Sequence, residues 1–230
     1  MKKNKIIYVF DAYCSWCYGM GPVIGKIAEE YKDALDIEVL SGGMIPEDTE
    51  VDVLARKFTS PREAFGRVTQ MTGQPISDDF IQMMETPESF DYTFNSVYPA
   101  RALATLKHFA PDREVQQAEA IQELIYTKLQ DLTKTASYKS VAEDFGIDWQ
   151  AFVHYFESDK SLEAAKYEFH LARQLEVTSY PAVLVQTGDQ QFYLVARGFT
   201  PFKTLNQRIQ NVMEENATKN GVAPPQNSPS

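Results

Sequence analysis

Residues 5–43 constrain the fold more than any other part of the chain. "KIIYVF" (5–10) is a short β-branched and aromatic run, the signature of a buried strand. It leads through Asp11 into Cys14 and Cys17, after which Met20, Val23, Ile24, Ile27, Ala28 and Tyr31 recur at helical spacing. "IEVLSGG" (37–43) is then a second β-type run closed by a Gly-Gly turn. A strand, a helix and a strand within about 40 residues make a βαβ unit, with parallel strands and a right-handed crossover.

The next stretch changes character. From Glu47 to about Leu175 the chain is rich in Ala, Leu, Glu and Lys, with helical periodicity and little strand signal. Helices are expected over Val51–Thr59, Arg62–Thr72, Asp78–Glu85, Ala100–Phe109, Asp112–Leu132, Ser137–Phe145, Trp149–Glu157 and Leu162–Leu175, with Pro61 and Pro111 suited to first turns. Strand chemistry returns in "YPAVLVQT" (180–187), turns at Gly188-Asp189 and continues in "QQFYLVARG" (190–198), a hairpin pattern. A final helix runs from Phe202 to about Glu215. The resulting order, β-α-β, a helical block, then β-β-α, is that of an α/β fold with one four-stranded sheet. Residues 1–46 and 176–216 form the sheet-containing domain and 47–175 a large all-helical insertion. Residues 217–230, almost devoid of apolar side chains, are expected to be a disordered tail.

Composition narrows the function. Ten net negative charges, from 32 acidic and 22 basic residues, argue against nucleic acid or an anionic membrane as the partner. No stretch approaches the roughly 18 apolar residues of a membrane helix. The basic opening "MKKNK" is followed by too short an apolar run for a signal sequence, so a cytoplasmic location is expected.

Two cysteines in 230 residues are no disulfide scaffold, and a random pair would fall three apart only about once in a hundred. A zinc site is disfavoured, because zinc takes about four ligands and His108, His154 and His170 lie in separate expected helices. An inert buried pair is the second alternative. The redox reading is favoured on physical grounds. A helix start presents free N–H groups and the positive end of the dipole, which stabilise a thiolate. Cys14, nearer that start, is the candidate nucleophile. Cys17, one turn later on the same side, is the candidate resolving thiol.

"CSWCYG" after a strand, the long helical insertion, and "VTSYPAVLV" (177–185) before a hairpin and helix together resemble the DsbA-like branch of the thioredoxin superfamily, most nearly its cytosolic protein-disulfide isomerase type. The resemblance spans residues 5–215 and implies a thioredoxin-like fold, thiol-disulfide chemistry and no bound cofactor, with glutathione as a redox partner. It further implies that Pro181 is cis and faces the cysteines, so that the backbone of Tyr180 pairs with substrate. Ser15 and Trp16, neither basic, would tune the couple toward the reducing side. Tyr180 is bulkier than the residue common in relatives and would either narrow the cleft or place a phenol near the sulfurs. That argues against broad acceptance of unfolded proteins and leaves room for a small thiol such as glutathione.

Weaker candidates have structural explanations beside functional ones. Asp11 could relay protons to Cys17, or simply cap the helix or face solvent. Trp16 could touch a client or pack beneath the loop. Pro22 should kink the first helix, and the "SGGM" turn could approach a bound thiol. Met71, Met83 and Met84 suit a helical core better than a client surface. The leading function is thiol-disulfide exchange on a disulfide-containing protein or small thiol. A glutathione-dependent transferase or small-molecule isomerase, and a non-catalytic protein adaptor, are the alternatives.

Overall fold

The computed structural model describes residues 4–220. The first strand, β1 (Lys5–Phe10), is the keel of the fold. It pairs in parallel with β2 (Asp36–Ser41) across the intervening helix α1 (Ser15–Tyr31), with Ile6 opposite Ile37 and Phe10 opposite Ser41. Side chains on a strand alternate between faces, and here both faces are covered. Ile6, Tyr8 and Phe10 enter the main core, whereas Ile7 and Val9 join Leu40, Ala172 and Leu184 in a second cluster on the other face. That two-sided burial explains why the strand reads as an unbroken apolar run.

The insertion begins with a two-stranded antiparallel ribbon that the periodicity did not signal. β3 (Thr49–Glu50) leads into α2 (Val51–Ala55), α3 (Pro61–Thr72) and α4 (Asp78–Glu85) before pairing with β4 (Thr93–Phe94). Then follow α5 (Val97–Phe109), α6 (Glu114–Tyr126), α7 (Lys139–Asp144), α8 (Trp149–Phe156) and α9 (Asp159–Gln174). Several expected helices are shorter. The α6 helix stops at Tyr126 and not Leu132, because the chain turns back there: Gln130 N–H donates to Leu124 O and Leu129 takes a φ of 48°. The α2 helix likewise ends at Ala55, four residues early. In contrast, α5 starts at Val97 because Pro99 falls within its first turn, where the missing N–H costs nothing.

After the insertion, β5 (Ala182–Gly188) returns antiparallel beside β1, and β6 (Gln191–Arg197) completes the hairpin. The sheet order is β2-β1-β5-β6. The last helix, α10 (Phe202–Asn220), packs on α1 and the hairpin. It corrects the expected tail boundary: residues 217–220 are helical, with Ala217 buried in the core. The rest of the expected tail, 221–230, lies outside the described residues.

Two devices join the insertion to the sheet. On α1, a Cβ at Gly19 would lie 2.5 Å from the Thr72 methyl, so glycine lets α3 approach this helix closely. At the outer edge of β2, one buried and two half-buried charges satisfy main-chain groups that would otherwise lack partners. Glu114 accepts from Val39 N–H at 2.7 Å and Glu168 from Ser41 N–H at 2.8 Å. Lys107 donates to Val39 O and pairs with Glu168 at 2.8 Å and Glu114 at 3.4 Å. A strand edge closed this way cannot accept another strand.

Candidate active site

The turn Asp11–Cys14 carries the chain from β1 into α1, closed by Cys14 N–H donating to Asp11 O at 3.1 Å. Cys14 is the N-cap, with extended backbone (φ −89°, ψ 105°). Its Sγ takes the place a serine or aspartate oxygen usually fills and accepts from Cys17 N–H at 3.3 Å. A negatively charged sulfur at Cys14 therefore has a donor already aimed at it. Both cysteines are free thiols. Cys14 is 7 % exposed and Cys17 is wholly buried.

Burial, and then the neighbouring Cys14, push the Cys17 thiol well above its ordinary value. Cys17 thus keeps its proton at neutral pH, and the sulfur with an N–H donor, on the residue that retains some exposure, is Cys14. Tyr8 donates its phenol to Cys17 O at 3.2 Å from the strand beneath.

Asp11 is only 2 % exposed, so neither a solvated carboxylate nor a simple helix cap describes it. Its oxygens accept from Tyr13 N–H at 3.0 Å and Met44 N–H at 2.8 Å. The nearby Ser96 hydroxyl, which accepts from Ile45 N–H at 3.0 Å, also favours the ionised carboxylate. Burial raises the Asp11 acid above its usual range despite these donors. The same carboxylate is close enough to act on the Cys17 thiol.

Tyr180 and Pro181, just before β5, are joined by a cis peptide bond. The Tyr180 phenol donates to Gly42 O at 2.7 Å, and its ring lies over Gly42 so closely that a Cβ there would be 2.0 Å from Cε1. Burial, followed by the Asp11 charge, pushes the Tyr180 phenol up to about 12, and both cysteines add to the effect. The "SGGM" turn is thereby tied to Tyr180 on one side and to Asp11 on the other, leaving Met44 41 % exposed beside the dithiol turn. Trp16 is half-buried, its ring tilted against Phe199 at 6.3 Å, and Ser15 is half-exposed at the first helical position.

The expected site residues thus fall into one region, whereas the methionines do not act as a group. Met83 and Met84 are core, and Met71 is exposed. Among the described residues, no cluster of three or more His, Cys, Asp or Glu side chains could hold a metal ion. Sequence reasoning missed Gln122, a buried residue of α6 that donates to Asp11 O at 3.2 Å and Cys14 O at 3.4 Å. One signal was present: Gln122 occupies the stripe of Ala118, Ile121 and Ile125, a polar residue on a buried helical face.

This geometry has relatives. A crystal structure of a Nitrosomonas europaea protein, provisionally assigned as a protein disulfide isomerase, matches with a TM-score of 0.79 and 26 % identity over 93 % of this chain and 99 % of that one. The cytosolic disulfide reductase DsbM from Pseudomonas aeruginosa matches at 0.69 and 18 %, over 94 % and 97 % of the two chains. Among curated sequences, the ClpXP adapter protein SpxH of Shouchella clausii is 21 % identical over 92 % of this chain and 68 % of its own length. A Bacillus licheniformis adapter of the same name is 23 % identical over 79 % of this chain, which spans 58 % of that protein. The DSBA-like thioredoxin domain model matches residues 5–210, nearly the whole described chain. With that match over most of a chain whose four-stranded sheet leads into a helix capped by Cys14, the chain belongs to the DSBA-like thioredoxin domain family.

Proposed function

We propose that the protein is a thiol-disulfide oxidoreductase acting through Cys14 and Cys17. The observation that carries the reading is the asymmetry of the pair: one sulfur caps the helix with an N–H donor, and the other is buried and held as a thiol. Cys14 Sγ attacks one sulfur of a substrate disulfide, breaking that S–S bond and releasing the first substrate thiolate. Cys17 then loses its proton to the Asp11 carboxylate, across the relay expected from sequence, and attacks Cys14 Sγ. The mixed disulfide breaks, the second substrate thiolate leaves, and two electrons have passed from the dithiol to the substrate. Two glutathione molecules return the Cys14–Cys17 disulfide to the dithiol and leave as glutathione disulfide.

A bulky residue immediately before Pro181, Tyr180 with its ring packed on Gly42, supports a small thiol substrate over a broad range of unfolded chains. A Pseudomonas aeruginosa DsbM structure that holds GSH is consistent with that class. The backbone of Tyr180 and the faces of Trp16 and Met44 would border the bound molecule. The reducing direction suits the cytosol, and Ser15 and Trp16 add no positive charge that would favour an oxidant. Among the described residues no helix is long and apolar enough to cross a membrane.

The test is turnover of cystine and of insulin, with glutathione as the reductant, by Cys14→Ser and Cys17→Ser. The Cys14→Ser protein should lose turnover entirely. The Cys17→Ser protein should accumulate a mixed disulfide detectable by mass. Unchanged turnover in Cys14→Ser would sink the reading. A second reading, a non-catalytic adaptor, is favoured only by the names of the curated adapter relatives. It requires that the protein lacking both cysteines retain full biological activity.

A further inference from the structure

We propose that Gln122 is a positioning residue through which the helical insertion sets the redox balance of the dithiol, an inference that rests on the oxidoreductase reading above. Gln122 is 1 % exposed and projects from α6 onto the dithiol turn, more than a hundred residues away in sequence. Its single amide nitrogen donates to both ends of that turn, to Asp11 O and to Cys14 O. Cys14 O also takes Cys17 N–H at 2.9 Å and Tyr18 N–H at 3.1 Å, and Asp11 O takes Cys14 N–H. The insertion therefore holds both ends of the turn through one side chain, Gln122.

The electrostatic consequence has a definite sign. Both carbonyls belong to the Asp11–Cys14 turn that carries the Cys14 sulfur, one of them Cys14's own, and each oxygen is the negative end of a peptide dipole. A donor on each draws that charge away from the sulfur, which favours the reduced state, where Cys14 can be anionic, over the uncharged disulfide. Removing the donors removes that advantage in a buried region where water is a poor substitute. The couple then shifts toward the disulfide, becoming more reducing.

The experiment is the equilibrium of the dithiol with glutathione and its disulfide at pH 7, for wild type, Gln122→Met and Gln117→Met. Gln117 is the matched control: a fully buried glutamine of the same helix whose amide donates to the Ala110 carbonyl instead. In Gln122→Met the constant for forming the internal disulfide should rise about fivefold, equivalent to about 20 mV for a two-electron couple. In Gln117→Met it should stay within a factor of two, even if both variants lose similar thermal stability. An unchanged constant in Gln122→Met, or an equal shift in Gln117→Met, overturns the proposal.

A reading on wild type removes any dependence on a well-folded variant. The side-chain amide resonances of Gln122 should move between dithiol and diamide-oxidised protein, or on alkylation of Cys14, while those of Gln117 stay. A stationary Gln122 amide also overturns the proposal. If that amide responds but the thiols never exchange with glutathione, the oxidoreductase reading falls alone and the structural link stands.

Discussion

Substituting Gly42 with alanine tests whether Tyr180 is held where the structure places it. The new Cβ would sit 2.0 Å from Tyr180 Cε1, 2.4 Å from Cζ and 2.7 Å from the hydroxyl oxygen. No ordinary contact is that short, so the ring must leave, breaking its 2.7 Å hydrogen bond to Gly42 O. Overpacking costs about 1–3 kcal/mol and a lost hydrogen bond about 1 kcal/mol, so Gly42→Ala should destabilise by about 2–4 kcal/mol. For a chain of this size that is a fall in Tm of about 5–15 °C. Gly42 lies outside the left-handed region, so alanine adds no backbone strain to the ledger. The assay is a double-mutant cycle by urea unfolding. With Tyr180→Ala in the background, Gly42→Ala meets nothing and should cost under about 1 kcal/mol, giving a coupling of at least about 1 kcal/mol. Equal costs of Gly42→Ala in the two backgrounds would refute the clash and the placement of the ring together.

Other perturbations probe the edge clamp and the buried acids. Lys107→Met strands Glu168 and Glu114 without their cation and should cost about 3–5 kcal/mol in urea unfolding at pH 7. Burial already raises the Glu114 acid, so the variant should recover stability as pH falls from 7.5 to 5; a flat profile would remove the clamp from the account. At the alkaline end, burial raises Tyr8, Tyr13, Tyr126 and Tyr138 well above the ordinary value of 10.0 and Cys17 above 9.0. Above those values the unfolded chain releases protons that the folded chain retains. Stability complete below about pH 9 should therefore decline steadily as pH rises through 10 and beyond. Equal urea midpoints at pH 8 and pH 11 would contradict the burial of these groups.

Local chemistry made much of this molecule legible. Apolar periodicity alone separates β1 from α1, and Ser60, Pro61 and Gly73 mark both ends of α3 as their chemistry demands. Cys14 and Cys17 were legible because a C-x-x-C at a helix start is a local pattern. What stayed hidden is made by pairs distant in sequence. The β3–β4 ribbon is two residues per strand, too short to carry any alternation. The early end of α6 follows from a turn whose donor and acceptor lie six residues apart, in a stretch where every side chain tolerates helix.

The site divides along the same line. Asp11 as a sequence neighbour of Cys14 suggested a cap, yet its carboxylate accepts from Met44 N–H in the turn after β2, which periodicity cannot bring to it. Gln122 is the sharper case. A buried polar side chain must find partners, so its place among Ala118, Ile121 and Ile125 already implied a backbone target somewhere. Only the packing of α6 against α1 identifies that target as the two carbonyls flanking the dithiol turn. The insertion is therefore more than added bulk between two halves of a thioredoxin-like sheet: it closes the edge of β2 with charges and supplies a hydrogen-bond donor to the turn that holds the cysteines. A chain that kept residues 5–46 and 176–216 but lost the insertion would keep the C-x-x-C sequence and lose the donors that shape its surroundings.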